Sequence, residues 1–284
     1  MPPPLPSVDP TPSRRIFLVA FGVFAAAIGF AIAGTLLLRL FPSAARFFAP
    51  YMAQLVNAPT LTYMALLPVL SFTLFFDELG WKKSIVFVLV GGLIGLGAEL
   101  IGTNTGFPFG AYGYTDRLGP KILGDVPWFI PFSWYALSIL CYDLARRLSI
   151  GRWGRIITVA VFMILWDVSL DPAMNQGGGT FVFWMYPEGG AYFGMPLSNW
   201  AGWFVTSTLI GVAYEALGGL GAAPDAFEKR WSPILYTLHL IFPISVCLLY
   251  GLPLAGLLGL VALGIPLGLL RLRRSPLHPE VAPA

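Results

Sequence analysis

Long apolar runs, separated by shorter polar or glycine-rich segments, make up most of the chain. Eight of these runs are long enough, at about 20 residues each, to cross the hydrocarbon core of a bilayer. They cover approximately 15–40, 60–79, 84–103, 129–148, 156–171, 199–220, 233–250 and 252–270. The fifth run is short, so we expect its helix to continue into the following loop. The pattern predicts an all-α, polytopic membrane helical bundle with about eight transmembrane helices.

The composition agrees with a lipid environment. Hydrophobic residues occupy 57% of the 284 positions and charged residues only 11%, so a soluble chain of this length would lack polar surface. The 25 prolines and 32 glycines lie largely within and between the apolar runs, where membrane helices tolerate them. They are expected to mark kinks and helix ends.

Basic residues divide unevenly between the two sides of the predicted bundle. With the N-terminus inside, all 17 lysines and arginines fall in cytoplasmic segments except Arg39, Arg46, Arg117 and Lys121. This asymmetry follows the positive-inside rule. It predicts cytoplasmic N- and C-termini and a multi-pass protein of the cell membrane, that is, the plasma or inner membrane.

The domain organisation is expected to be simple. Residues 1–14 are rich in proline and predict a disordered tail without a cleavable signal. A single transmembrane domain is predicted over 15–272, followed by a C-terminal tail over 273–284. Within the third run, glycines at positions 91, 92, 95 and 97 predict a face for close helix packing, which permits dimers without requiring them.

Two long outer loops, at 102–128 and 172–198, are rich in glycine and aromatic residues. The cytoplasmic connections are short and basic, which is typical of simple connectors. We therefore expect the chemistry of this protein at the outer side of the membrane.

Three acidic residues lie toward the outer ends of the predicted spans: Glu99 in the third, and Asp167 and Asp171 in the fifth. Acids inside a span usually face the bundle interior and often mark function. The four-residue spacing of Asp167 and Asp171 places both carboxyls on one helix face. Crowding and poor solvation should keep one of this pair protonated near neutral pH, as a general acid requires.

Each of these acids also has a purely structural interpretation. Asp167 and Asp171 could cap the following loop, or pair with Arg117 or Lys121. Glu99 could be a buried acid tied to the backbone or to a tyrosine hydroxyl. The residues alone leave both interpretations open.

Toward the inner side lie further polar groups, including Asp77. Asp143 precedes Arg146 by three residues, which predicts a local helical ion pair. Glu215 and His239 are predicted to pair with each other across the sixth and seventh spans. A proton route from the cytoplasm is the alternative for this pair.

Polar and aromatic residues crowd the outer end and are candidates for binding a substrate. Turn formation and an interfacial aromatic belt would explain many of them. Aromatic ring faces also attract cations, including a carbocation formed during a reaction, so an acid with an aromatic lining suits protonation of an alkene. The candidate substrate-binding residues are Asn104, Tyr112, Tyr114, Trp166, Asn175, Trp184, Tyr192, Asn199 and Trp203.

Other function classes lack their sequence signals. The chain has two histidines, too few for a histidine-ligated di-iron membrane oxygenase. No Gly-x-Gly-x-x-Gly or phosphate-binding Gly-x-x-x-x-Gly-Lys motif is present. The basic residues form no stripe for nucleic acid, and the two cysteines lie in apolar runs. We expect no cofactor, no metal and no nucleic-acid partner.

Three passages carry a resemblance to a known family. They are Gly102-Thr-Asn-Thr-Gly-Phe-Pro-Phe-Gly-Ala-Tyr-Gly-Tyr114, Trp166-Asp-Val-Ser-Leu-Asp-Pro-Ala-Met174 and Gly190-Ala-Tyr-Phe-Gly-Met-Pro-Leu-Ser-Asn-Trp-Ala-Gly-Trp203. Together they resemble the CruF-type carotenoid 1',2'-hydratases, a carotenoid biosynthesis membrane protein family. The resemblance extends from about the third span to the sixth.

The resemblance implies cofactor-free addition of water to the terminal 1',2' double bond of an acyclic (ψ) carotenoid end, as in γ-carotene or lycopene. The expected partners are then a carotenoid substrate, the lipid bilayer and other carotenoid-pathway enzymes. In the hypothesis drawn from spacing and depth, the Asp167/Asp171 pair protonates C2', Trp166 and Tyr112 stabilise the C1' cation, and Glu99 with Asn104 positions and deprotonates water.

Two rival functions fit parts of the same pattern. A membrane prenyltransferase could use Asp-x-x-x-Asp to hold magnesium against a diphosphate, although that class needs a second acidic motif. A non-catalytic carotenoid carrier would need only an apolar groove.

Overall fold

The computed structural model describes residues 10–148, 150–176, 182–221 and 223–274. It is an all-α membrane bundle. Within these residues, five helical stretches are long and apolar enough to cross a membrane: Pro12–Leu40, Pro42–Thr105, Gly151–Gln176, Ala226–Leu249 and Pro253–Arg273. The chain is therefore a multi-pass membrane protein.

The described residues form eight α-helices. They are α1 (Pro12–Leu40), α2 (Pro42–Phe48), α3 (Met52–Thr105), α4 (Ile130–Arg146), α5 (Gly151–Gln176), α6 (Ser198–Ala216), α7 (Ala226–Leu249) and α8 (Pro253–Arg274). Every predicted apolar run overlaps one of these helices. As expected, the fifth run continues beyond Asp171, because α5 extends to Gln176.

The helix α3 is broken at Gly80, which separates two of the predicted runs. Gly80 has φ 66° and ψ 168°, a combination that only glycine adopts readily. The chain turns there, so that 52–79 and 81–105 form two helical arms. A left-handed Gly106 then ends the second arm.

Four glycines were predicted to form a packing face on the second arm of α3, and three of them lie against α4. A Cβ on Gly95 would lie 2.4 Å from Cγ of Trp134, and one on Gly92 would lie 3.3 Å from the Pro131 carbonyl oxygen. Gly91 is similarly close to α4, whereas Gly97 faces open space. The small residues thus allow α3 and α4 to approach closely.

The described parts of the two long loops, predicted to lie on the outer side, contain four short strands: β1 (Gly113–Tyr114), β2 (Lys121–Ile122), β3 (Val126–Pro127) and β4 (Trp184–Met185). Strand β1 pairs antiparallel with β4, and β2 with β3. The β1–β4 pair joins the first outer loop to the second. The two loops therefore form one cap over the end of the bundle where α3 ends and α4 begins.

At the opposite end, α4 finishes in a buried ion network. The Arg146 guanidinium contacts Asp143 at 2.7 Å, Glu228 at 2.8 Å and Glu78 at 2.9 Å. The predicted Asp143–Arg146 pair is confirmed, and it belongs to a larger cluster than one helix could supply. Asp77 is bound on the same side by Ser13 and by Arg14.

The predicted contact between Glu215 and His239 is wrong. Glu215 pairs with Arg155 and accepts a hydrogen bond from the Tyr142 hydroxyl at 2.6 Å. His239 instead stacks against Trp166, with ring centroids 4.7 Å apart. Sequence depth alone could not show that the α7 histidine turns toward α5.

The predicted tails fall largely on residues 1–9 and 275–284, which lie outside the described residues. Residues 12–14, expected in the first tail, are already helical, because Pro12 opens α1 and the Thr11 side chain caps it by accepting from the Arg14 amide.

Candidate active site

A single cavity beneath the outer cap brings the predicted acids together. Glu99, Asp167 and Asp171 all line it, and all three are buried, with Asp167 0% and Asp171 1% exposed. The rest of the lining is mainly apolar and aromatic. None of the three acids forms an ion pair within the part of the chain that the structure describes.

Glu99 is held by three donors from two directions. The Trp134 indole N–H donates to Oε1 at 2.9 Å, and the Tyr114 hydroxyl donates to Oε2 at 2.8 Å. The Tyr112 hydroxyl also donates to Oε2. Gly95, one helical turn before Glu99, leaves the space in which the Trp134 ring lies. The alternative of a buried acid tied to tyrosine hydroxyls thus describes its contacts correctly.

One neutral side chain, that of Asn199, contacts both aspartates. Asn199 Nδ2 lies 3.1 Å from Oδ2 of Asp167 and 2.9 Å from Oδ2 of Asp171, which confirms that both carboxyls lie on one face of α5. Lys121, considered as a partner, pairs instead with Asp116 at 2.9 Å. The acids are joined by an amide rather than neutralised by a cation.

The two carboxyls of this pair differ in how fully they are bonded. Asp171 also accepts from Tyr186 at 2.6 Å, from Asn175 at 2.9 Å and from Trp184 at 3.1 Å. Asp167 accepts a bond only from Asn199 at full hydrogen-bond geometry among the described residues, and the Trp200 indole lies near the same carboxyl. Asp171 thus anchors the second loop, while Asp167 is the less fully bonded of the two acids.

The pairing of β1 with β4 positions the side chains of the two loops that donate hydrogen bonds to the acids. Side chains two positions apart on an extended chain point the same way, so Tyr112 and Tyr114 both reach Glu99. Trp184 and Tyr186 both reach Asp171 for the same reason. The Tyr112 and Tyr186 rings lie 6.0 Å apart and connect the two acidic centres.

These loop phenols act as donors. Burial, reinforced by the neighbouring Glu99 carboxyl, raises the pKa of Tyr112 and of Tyr114. Burial and the Asp171 carboxyl raise the pKa of Tyr186 in the same way. The three hydroxyls therefore keep their protons, and each proton points at a carboxylate oxygen.

Aromatic rings form a continuous wall along the cavity. Trp134 and Trp203 have ring centroids 4.5 Å apart, and Trp203 and Trp166 are 5.8 Å apart. His239 then lies 4.7 Å from Trp166 and 4.9 Å from Tyr63. The faces of such rings carry negative electrostatic potential.

A proline explains the position of Tyr192. Pro172, inside α5, has no N–H to bond the Val168 carbonyl four residues earlier. The Tyr192 hydroxyl donates to that carbonyl at 2.9 Å. Tyr192 therefore satisfies a freed backbone group and ties the second loop to α5.

The predicted substrate-binding residues divide into two groups. Those that line the cavity are Tyr112, Tyr114, Trp166, Trp184, Asn199 and Trp203. Asn175 lies behind the lining and bonds Asp171. Asn104 and Tyr192 are not part of the lining, and the Asn104 amide bonds Asp125 at 3.1 Å. This placement removes the expected partnership of Asn104 with Glu99.

Sequence reasoning missed Trp134, Tyr186, His239 and Tyr63 as site residues. The Trp-x-Tyr spacing of Trp184 and Tyr186 repeats the alternation of Tyr112 and Tyr114 and could have indicated a second donor pair. No comparable signal marks His239 or Tyr63, because their helices meet only in the folded bundle. Within the described ranges, no group of three or more His, Cys, Asp or Glu side chains is placed to hold a metal ion.

Fold and site together define a polytopic membrane protein with an acidic, aromatic-lined cavity. The family model for carotenoid biosynthesis proteins matches residues 59–266. The chain belongs to this carotenoid biosynthesis protein family, and the resemblance in its motifs is thereby confirmed.

One relative has a defined activity in its name. The bisanhydrobacterioruberin hydratase of Haloarcula japonica is 32% identical over 127 residues, covering 43% of this chain and 42% of the relative. The match thus spans less than half of that protein. No solved structure matches the chain.

Proposed function

We propose that this protein adds water to the terminal 1',2' double bond of an acyclic (ψ) carotenoid end group. The main observation behind this proposal is that Glu99, Asp167 and Asp171 are buried without an ion-pair partner in the described structure and line one aromatic cavity. Membership of a carotenoid biosynthesis family and similarity to a protein named as a hydratase support this proposal.

Asp167 is assigned as the proton donor. Two buried carboxyls that share one amide donor cannot both carry charge cheaply, so the pair holds a proton. Asp171 accepts four hydrogen bonds, which favour its ionised form, whereas Asp167 accepts one at full hydrogen-bond geometry, from Asn199. The proton therefore resides on Asp167, from which it passes to C2' of the substrate.

The positive charge that develops at C1' is stabilised by its surroundings. Trp166 and Trp203 line the cavity, and the faces of aromatic rings attract cations. The Glu99 carboxyl, held by its three donors, supplies a fixed negative charge nearby.

The polyene is assigned to the apolar side of the cavity. Ala31, Pro59 and Thr60 line both this cavity and an adjoining apolar groove between α1 and α3. A hydrocarbon chain placed there would remain in contact with lipid while its end group reaches the acids. Which ψ-end carotenoid is used would follow from the length of this groove.

In the proposed topology the chain crosses the inner or plasma membrane eight times, and both termini lie in the cytoplasm. Gly80 divides α3 into two arms, and α4 and α6 supply crossings beside the five apolar stretches. The cavity then opens on the non-cytoplasmic side. A reporter fused after Ala284 that is active only outside the cytoplasm should remain inactive.

Purified protein incubated with γ-carotene in ¹⁸O-labelled water tests the reaction. Label in a 1'-hydroxyl is expected from the wild type. Replacing Asp167, Asp171 and Glu99 singly by the matching amides should lower the rate, by about 10²- to 10⁴-fold for the acid itself. Unaltered yield in all three variants would remove the proposed site.

Other outcomes identify the rivals. Pigment that binds but returns unchanged would indicate a carrier, while a strict magnesium requirement with a prenyl diphosphate substrate would indicate a prenyltransferase. Either result would replace the hydratase proposal.

A further inference from the structure

The cavity lining contains another buried polar side chain besides those of the three acids and Asn199. His239 is 2% exposed and lines the cavity, and its imidazole forms no hydrogen bond with any described residue; Nδ1 in particular is buried and unpartnered. A buried polar group without a partner is costly unless something else bonds it. A ligand or water in the cavity would supply that bond.

Three aromatic rings from three different helices hold this imidazole. Trp166 of α5 lies 4.7 Å from it, Tyr63 of α3 lies 4.9 Å, and Phe24 of α1 lies 6.5 Å, measured between ring centroids. None of these contacts occupies a ring nitrogen. The three rings are tilted relative to the imidazole, and its Nδ1 has no hydrogen-bond partner among the described residues.

Glu99 is a poorer candidate for receiving a proton from water. Its Oε1 already accepts from Trp134, and its Oε2 accepts from Tyr112 and Tyr114. These three donors occupy most of the directions from which a water could approach. Asn104, expected to help Glu99, lies outside the cavity.

We propose that His239, which lines the same cavity as the acid Asp167, binds the attacking water and accepts its proton; this inference rests on the proposed hydration. Asp167 first gives its proton to C2', before the carbon–oxygen bond forms. The water oxygen then bonds to C1', and one water proton passes to the imidazole.

The cycle closes without any further reactant. The imidazolium returns its proton to the Asp167 carboxylate, so that one water is consumed and one tertiary alcohol is formed. The Trp166 and Tyr63 ring faces beside His239 stabilise the imidazolium during the cycle.

Deuterium exchange separates proton donation from water capture. Full-length protein is incubated with γ-carotene in D2O, and both the product and the recovered substrate are analysed for mass. His239→Phe should lose hydroxylated product by at least about 100-fold. Its recovered substrate should still gain deuterium, because the C1' cation forms and then loses a proton instead of capturing water.

Two further variants complete the comparison. His239→Gln should retain partial hydration, since its amide oxygen accepts a hydrogen bond from water but does not take the proton. Asp167→Asn should abolish both hydroxyl formation and deuterium gain. His278→Phe, which removes the other histidine of the chain, serves as the control and should behave as wild type. Visible absorbance of bound pigment verifies an intact cavity in each variant.

Wild-type product yield from His239→Phe would overturn the assignment. Loss of both product and exchange from a pigment-binding His239→Phe, or from His239→Gln if the first variant does not fold, would also overturn it, because His239 would then act before cation formation. Absence of any product from the wild type is a separate result, which refutes the hydration proposal itself.

Discussion

Gly95→Ala should disturb the site through a single methyl group. The added Cβ would lie 2.4 Å from Cγ and 2.6 Å from Cβ of Trp134, whereas carbon atoms pack at about 3.5–4.0 Å. Trp134 must therefore move by about 1 Å. Its indole N–H lies 2.9 Å from Oε1 of Glu99, so a shift of that size takes the pair beyond hydrogen-bonding distance.

The expected cost has two parts. Overpacking between α3 and α4 costs about 1–3 kcal/mol, and the lost hydrogen bond to a charged acceptor adds about 1.5–3 kcal/mol. Against this, alanine gains up to about 1 kcal/mol in helix propensity. The net destabilisation should be about 1.5–5 kcal/mol, and hydration should slow because Glu99 loses one of its three donors.

Gly97→Ala is the matched control on the same helix. A Cβ at Gly97 meets nothing within 4 Å, so only the helix propensity remains and the protein should become slightly more stable. Thermal unfolding in detergent and the rate of product formation are measured for both variants. Equal behaviour of Gly95→Ala and Gly97→Ala would refute the packing argument.

Two further predictions concern buried contacts outside the cavity. Tyr192→Phe should lower the free energy of unfolding by about 1–3 kcal/mol, because it leaves the Val168 carbonyl unpaired. The loss should be smaller in a Pro172→Ala background, where the new N–H can bond that carbonyl; additive effects in this double-mutant cycle would contradict the explanation. Arg146→Met should lower unfolding stability by about 3–5 kcal/mol because buried acids lose their cation, while pigment binding at the far end of the bundle persists; an unchanged unfolding midpoint would show that the network contributes nothing.

The ion network and the acidic cavity illustrate two solutions for buried charge in one bundle. At the end of the bundle where α4 finishes, Arg146 contacts Asp143, Glu78 and Glu228. At the end covered by the loop cap, neutral donors such as Asn199 and Tyr186 contact the acids. The second arrangement leaves buried carboxyls without an ion-pair partner among the described residues.

Much of this architecture can be predicted from the amino-acid sequence alone. Apolar runs of bilayer length predict the helices because lipid cannot satisfy backbone groups, and helical spacing alone places Asp167 beside Asp171 and Asp143 beside Arg146. The same local geometry predicts the glycine face on α3. These are contacts within one helix or properties of one helix surface, so the order of residues determines them.

Tertiary structure decided the rest. Glu215 meets Arg155, His239 meets Trp166, and Glu99 meets Trp134 only after separate helices pack. Asn104, near Glu99 in sequence, turns away to Asp125. Which side chains share a cavity depends on the rotation of each helix about its axis and on the path of the outer loops. Both are fixed by packing between segments distant along the chain, which no local pattern records.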